Sequence, residues 1–241
     1  LLTYHPPIIL AKKEYCFSFR QYIYNRYKSV FGCIKKQTKL IKKRFIFAIM
    51  KTFNLYMESS ELSLLKQFII KNGTMKSFKK KEPFITEGNK STYVGFVKSG
   101  LFRYVKLDNR GTEHIIGFAF QNEYIAEYHS YICKIPSLLT IEAATNSVAY
   151  VISLETLHAF WETDIQTLRL RSIVAEKLYA QFYERVISLH CDTAEERYLK
   201  LIQQYPEVTN KLSLKDIASY LSVTPETVSH IRKKITTSRI S

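Results

Sequence analysis

Lys211–Lys234 reads KLSLKDIASYLSVTPETVSHIRKK, two short amphipathic runs parted by a three-residue break and closed by a cationic end. Ser213 followed by Asp216 is a helix start signal, because a Ser oxygen at the N-cap can accept from an orphan amide of the first turn. Leu214, Ile217, Ala218 and Leu221 then fall on one helical face. The run stops at Ser222-Val223-Thr224. Thr224-Pro225 restarts it, with Thr as N-cap and Pro at the first helical position, where a missing N–H costs nothing. Val228, Ile231 and Ile235 mark the inward side of this second helix, and the other side carries short polar groups first and cations last. The pattern predicts a helix-turn-helix whose second helix enters a DNA major groove. Its rival is a helical hairpin with a merely solvated polar face. Ser213, Thr224, Pro225, Glu226, Thr227, Ser229, His230, Arg232 and Lys233 are the candidate DNA contacts. Glu226, Ser229 and His230 are expected at base edges, Arg232 and Lys233 at phosphates.

The charge of the chain is unevenly spread. Formal net charge is +15 over 241 residues. Residues 1–49 hold eleven Lys and Arg against the single acid Glu14, which leaves only +5 for the remainder. A basic balance suggests nucleic acid or an anionic membrane surface, but here most of the excess precedes the region with helix and strand patterning. In residues 1–49, 26 are Lys, Ile, Phe, Tyr or Asn, whose codons can consist wholly of A and T. The segment is therefore read as upstream sequence translated in frame, outside the native fold, with Met50 or Met57 as the natural start. The other reading is a basic, aromatic amphipathic arm built on Tyr22, Tyr24, Tyr27, Phe31 and Lys42-Lys43-Arg44.

Several classes of chemistry find no support. No run of about 18 apolar residues or secretory leader pattern occurs, so no membrane partner and a cytoplasmic location are expected. Cys16, Cys33, Cys133 and Cys191 are scattered without a C-x-x-C pair, as suits reduced thiols. His129 has Glu127 and Cys133 as neighbours, but no second ligand pair lies close in sequence, so neither a metal nor any other cofactor is expected. Without a nucleophile elbow, a phosphate-cradling glycine loop or an H-E-x-x-H, the chain is not read as an enzyme.

Between Lys76 and Ser153 the pattern changes to short strand-like runs with turn signals. Phe84-Ile85, Tyr93–Val97, Leu101–Leu107, His114–Phe120 and material in Thr140–Ile152 are predicted strands, with Asp108-Asn109-Arg110-Gly111 as a hairpin turn. Many strands at roughly ten-residue spacing imply a small antiparallel β-barrel or jelly roll with a mouth for a ligand. The strand order, Glu87-Gly88, the run KSGLFRYV from Lys98 and DNRGTE from Asp108 resemble the cyclic-nucleotide-binding domain of Crp/Fnr transcription regulators, as does the helix-turn-helix behind them. The resemblance covers about residues 60 to 236.

In those family members that bind cyclic AMP, a Gly-Glu pair is followed ten residues later by an Arg and a hydroxyl residue that hold the ribose and cyclic phosphate. By that resemblance the ligand pocket here is Glu127, Tyr128, Ser137 and Leu138, with Ser137 at the place of the Arg and Leu138 at that of the hydroxyl residue. A buried phosphate needs a guanidinium or its equivalent, so no response to cyclic AMP is expected and any effector is unidentified. The cysteine cluster of the family's Fe–S sensors is also missing.

From Asp164 to His190 no Pro or Gly interrupts a stripe of Leu170, Val174, Leu178, Phe182, Val186 and Leu189. So wide a stripe suggests a helix shared between two subunits, with Leu170, Val174, Leu178 and Phe182 at the dimer contact; an intramolecular core helix is the rival. The whole is an α+β chain. An antiparallel jelly-roll barrel of cyclic-nucleotide-binding-like type at 50–160 is joined by a dimerisation helix at 161–191 to a winged-helix-like helix-turn-helix domain at 192–241. The resemblance implies a homodimeric, DNA-binding transcription regulator, with double-stranded DNA, a second copy of itself, RNA polymerase and a small-molecule effector as candidate partners. A ligand-binding or protein-contacting module without DNA affinity is the alternative.

Overall fold

The computed structural model describes Asn54 and residues 60–237, which lie in one compact unit, Thr52–Ser241. The basic segment 1–49 and both candidate start positions, Met50 and Met57, lie outside the described residues. Helix α1 (Ser63–Asn72) leads into β1 (Thr74–Phe78), β2 (Pro83–Ile85), β3 (Tyr93–Ser99), β4 (Leu101–Leu107), β5 (Glu113–Phe120) and β6 (Tyr124–Ile125). A short helix α2 (Tyr128–Cys133) precedes β7 (Thr140–Ala143) and β8 (Ser147–Ser153). The strands form two four-stranded antiparallel sheets, β1-β8-β3-β6 and β2-β7-β4-β5, so the expected barrel is a flattened jelly roll. Phe78, Val97, Phe102, Ile125, Ile141 and Val151 fill the space between them.

Two turns fix the register of β4. At Gly100 φ is +90°, and a Cβ there would stand 2.2 Å from the Ser147 hydroxyl, which accepts the Leu101 N–H at 3.0 Å. Only glycine combines that φ with that approach. At the other end Asp108 Oδ1 accepts the N–H groups of Arg110 at 2.8 Å and Thr112 at 2.9 Å, an Asx-type closure of the predicted hairpin.

The helical half comprises α3 (Leu154–Trp161), α4 (Ile165–Cys191), α5 (Ala194–Gln204), α6 (Val208–Lys211), α7 (Leu214–Tyr220) and α8 (Pro225–Thr237). Reciprocal caps start the two central ones, Asp164 with Thr167 for α4 and Thr193 with Glu196 for α5. No strand occurs among the described residues after Ser153, so the expected wing is absent from 192–237, and the helical turn α6 links α5 to α7.

Strand β4 is covered on both faces. Phe102 points between the sheets, while Leu101 and Val105 join Ile115, Phe118 and Phe120 in a core completed by Tyr198, Leu201, Ile217, Leu221, Val228 and Ile231. The helix-turn-helix is thus seated on the outer face of the β4–β5 sheet, which a reading by consecutive domains does not anticipate.

Helix α4 also has two faces, and they differ from the expected stripe. Leu170 is 4% exposed in the core of its own subunit, and Val174 packs against the same cluster. Their burial needs no partner chain. Phe182, by contrast, is 66% exposed, as are Tyr179 at 67% and Tyr183 at 54%. The sequence stripe in steps of four drifts around the helix, so its early members face the barrel and its late member faces outward.

The Asp108 turn gives a pH prediction. His114 Nε2 lies 3.1 Å from Asp108 Oδ2, and this contact, with the Thr112 and Arg110 amides, holds the carboxyl down at about 2. A depressed carboxyl contributes to folding above its unfolded range and loses that contribution as pH falls toward the folded value. The Asp108 carboxyl is expected to titrate near about 2 by NMR, and His114→Ala should move the midpoint upward toward the usual aspartate range.

Candidate nucleic-acid interface and ligand cavity

The two signals read from Ser213 and Thr224 both act as caps. Ser213 Oγ accepts the Asp216 N–H at 3.0 Å, and Thr224 Oγ1 accepts the Thr227 N–H at 3.3 Å. Between the helices Ser222 takes a left-handed conformation, φ 55°, while the Val223 N–H reaches back to the Ala218 carbonyl at 3.0 Å. This is a Schellman-type stop with Ser in the place usually held by Gly. Val228 and Ile231 are buried and Ile235 packs against the same core, so the inward side of α8 is as the spacing predicts.

The outer side is partly different. Glu226, His230 and Lys233 are exposed, while Pro225, Thr227 and Ser229 are half-buried. Glu226, Thr227 and His230 line a groove against Thr193 and Glu195 at the start of α5. The Glu226 carboxyl is held below the usual range by its own backbone amide and the Thr224 hydroxyl. Arg232 is turned inward: its Nε donates to the Tyr198 hydroxyl at 3.1 Å and its guanidinium lies 5.9 Å from that ring. Lys234 pairs with Glu195 at 2.6 Å. Of the expected cationic end, Lys233 remains exposed and outside the ion pairs, and Lys215 at the start of α7 shares that state. The sequence reading missed Lys215, although it stands two residues after the Ser213 cap.

The helix-turn-helix is fastened to the sheet by charge as well as by its core. Arg103, 6% exposed on β4, places Nη1 3.1 Å from Asp216 Oδ1, Nη2 3.0 Å from Glu113 Oε2, and Nε 2.6 Å from Glu142 Oε1. Burial opposes its charge, but Glu142, Glu113 and Asp216 together raise its affinity for the proton. Beside it the Ile115 N–H donates to Ser219 Oγ at 2.9 Å. From the long helix, Arg185 donates to the Tyr220 carbonyl and lies 3.8 Å over the Tyr220 ring. One helix therefore reaches α7 directly.

The structure separates the four expected pocket residues. Glu127 and Tyr128 line a cavity of about 240 Å³ between the sheets, α1, α3 and α4. Glu127 Oε2 is occupied as the cap of α2, accepting the Ser130 N–H at 2.5 Å. Ser137 and Leu138 stand outside the lining. Ser137 is 2% exposed, donates its hydroxyl to the Leu139 carbonyl at 2.6 Å, and closes backbone bonds of 2.8 Å with Gly88 and Asn89. Leu138 is 53% exposed. Arg171 and Gln181 from α4 and Trp161 from α3 line the cavity instead, none of which the sequence singled out. Among the described residues no group of three His, Cys, Asp or Glu could hold a metal ion, and His129 and Cys133 are exposed.

Residues 75–164 match the cyclic nucleotide-binding domain family, so that stretch is similar to such a domain. No curated protein matches the chain. Among solved structures it is similar to FixK2 from Bradyrhizobium japonicum, with 25% identity, a TM-score of 0.60, and coverage of 70% of this chain and 86% of that one. It is also similar to the c-di-GMP responsive global regulator CLP of Xanthomonas campestris, at 13% identity, TM-score 0.55, and 73% and 92% coverage. A third is a regulator assigned to the Crp/Fnr family from Eubacterium rectale, at 16% identity, TM-score 0.53, and 73% and 84% coverage. The resemblance to Crp/Fnr regulators is borne out in the fold, jelly roll, long helix and C-terminal helices in that order. No helix among the described residues is long and apolar enough to cross a membrane.

Replacing Arg103 by Met is expected to destabilise the fold by about 2 kcal/mol. A fully buried pair broken on one side costs about 3–5 kcal/mol, but Glu113 is 35% exposed and Lys81 remains 3.0 Å from Glu142. Urea unfolding of the two forms measures it, and an unchanged midpoint would show that the ion cluster contributes nothing.

Proposed function

We propose that the chain is a homodimeric DNA-binding transcription regulator that does not respond to cyclic AMP. The observation that carries this is the α7–turn–α8 pair, properly capped, with its polar side outward and Lys215 and Lys233 outside the ion pairs. Glu226, Ser229 and His230 are assigned to base edges, the Ser213 and Thr224 caps with Lys215 and Lys233 to phosphates, and Arg232 to bracing α8 on α5 rather than to DNA. RNA polymerase is a candidate further partner on the strength of the resemblance.

Dimerisation is assigned to the outward face of α4. Leu168, Ala175, Tyr179, Phe182 and Val186 recur at steps of seven, four, three and four, the spacing of a parallel two-helix seam. Leu168, Tyr179 and Phe182 are exposed in the single chain at 47%, 67% and 66%. Phe182→Glu should therefore yield monomers in sedimentation, whereas an unaltered dimer would move the contact elsewhere. In a mobility shift with upstream DNA, the chain is expected to bind with a salt slope that Lys233→Ala lowers by about one unit per reader. Absence of any shift would favour the ligand-binding module without DNA affinity.

Cyclic AMP is expected to bind no tighter than millimolar, about −4 kcal/mol. Ser137 is buried with its hydroxyl already spent on Leu139, so the position that carries the phosphate-pairing Arg in cyclic-AMP-binding relatives offers no charge. Calorimetry giving a micromolar constant would overturn this.

A further inference from the structure

The 240 Å³ cavity is apolar along most of its wall, where Leu65, Ile69, Val94, Leu157, Val174 and Leu178 meet. Its polar groups are few and unevenly placed. Trp161 is 3% exposed, and its indole Nε1 and the buried hydroxyl of Tyr131 act on each other but have no further hydrogen-bond partner. Arg171 stands beside them, exposed and outside every ion pair of the described residues. Burial raises the Tyr131 and Tyr128 hydroxyls, and the Arg171 charge acts on both in the opposite direction, which places guanidinium and phenols in one cluster. Gln181 lies ten residues further along α4, roughly 15 Å at the helical rise. Its Nε2 donates to Asn54 while its buried Oε1 has no partner.

We propose that this cavity binds a small monocarboxylic acid with an apolar body, its carboxylate taken by Arg171, the Trp161 indole N–H and the Tyr131 hydroxyl. Buried donors without partners carry a desolvation cost that an acceptor arriving with a ligand removes. A guanidinium joined to two neutral donors is the set that best offsets the dehydration of a carboxylate. The group must be a monoanion, because Glu127 lines the same cavity with its own negative charge. A phosphate dianion is disfavoured on that ground. At about 240 Å³ the space is below the roughly 300–1,000 Å³ of sites that hold drug-sized molecules, so the apolar body is small. The exposure of Arg171 supplies the entrance, through which the apolar end passes first.

Trp161 is the only tryptophan of the chain, so intrinsic fluorescence reports from the binding site itself. Octanoate and 3-phenylpropionate are titrated into the full chain, each beside its uncharged amide. A saturable change in Trp161 emission is expected with at least one acid, and its amide should bind about tenfold or more weakly. Arg171→Met should bring acid and amide to equal affinity with the unfolding midpoint unchanged. Equal affinity of acid and amide in the original chain would overturn the proposal, and so would the lack of any saturable change up to about 10 mM. Neither arm contains DNA, so the result stands apart from the assignment of the reader.

Discussion

The arrangement of the molecule depends on how Arg103 is neutralised. Its side chain leaves β4 on the face away from the jelly-roll interior, where an isolated strand would meet water. Instead that face is covered by the reader, and the guanidinium is nearly dry among Glu113, Glu142 and Asp216. A cation so placed is tolerated only with its partners in position. One partner comes from β5, one from β7 and one from α7, so satisfying Arg103 requires both strand neighbours and the docked helix together. Asp216 has a second duty, since its amide completes the Ser213 cap. The start of the reader's first helix and its attachment to the sheet are consequently one structure.

Helix α4 connects what the sheet does not. Arg171, Val174, Leu178 and Gln181 line the cavity, and Arg185, four residues on along the same stripe, reaches the Tyr220 carbonyl at the end of α7. These positions advance by three, four, three and four, which keeps them on one side of a single rigid rod. A change in what fills the cavity and a change in where α7 sits therefore act on the same surface of the same helix. A neighbouring surface of the helix, on which Tyr179 stacks on Tyr183 at 6.1 Å, is the part left for a partner.

Much of this was legible, and the parts that were not have a common cause. Caps announce themselves locally: Ser213, Thr224, Asp164 and Thr193 each require only residues within three positions, and all four start a helix. The hairpin at Asp108 and the alternation of β4 are equally short-range. Arg103 in LFRYVKL reads as a solvent-facing cation, because the sequence does not reveal that a helix more than a hundred residues later will cover it. Arg232 misleads in the same way, lying in a basic run yet turned onto Tyr198 across 34 positions. The stripe on α4 fails for a geometric reason instead. Steps of four accumulate 40° per step against a 3.6-residue turn, so Leu170 and Phe182 end on different faces although each follows regularly from the last. Glu127 and Tyr128 were read as pocket residues and do line the cavity, but its donor set was not legible, because Trp161 Nε1, Tyr131 OH and the Arg171 guanidinium come from three separate helices.

The engagement of Arg232 with Tyr198 and of Lys234 with Glu195 bears on how the proposed reader would hold DNA. The chain carries +15, but most of that excess lies in residues 1–49 and does not belong to α7 or α8. Among the described residues on the outer side of α7 and α8, Lys215 and Lys233 stand outside the ion pairs, and capping hydroxyls contribute neutral donors. Each phosphate neutralised contributes about 0.9 to the salt slope, so two lysines give one reader a slope near 2 and a pair near 4. A slope near 2 supplies little affinity at physiological salt. Two readers on one rigid axis add their contacts without a second loss of translational freedom. The modest charge of the single reader thus makes the outward face of α4 a requirement of the proposed function, because without that pairing the base-edge residues would have too little electrostatic hold to act upon.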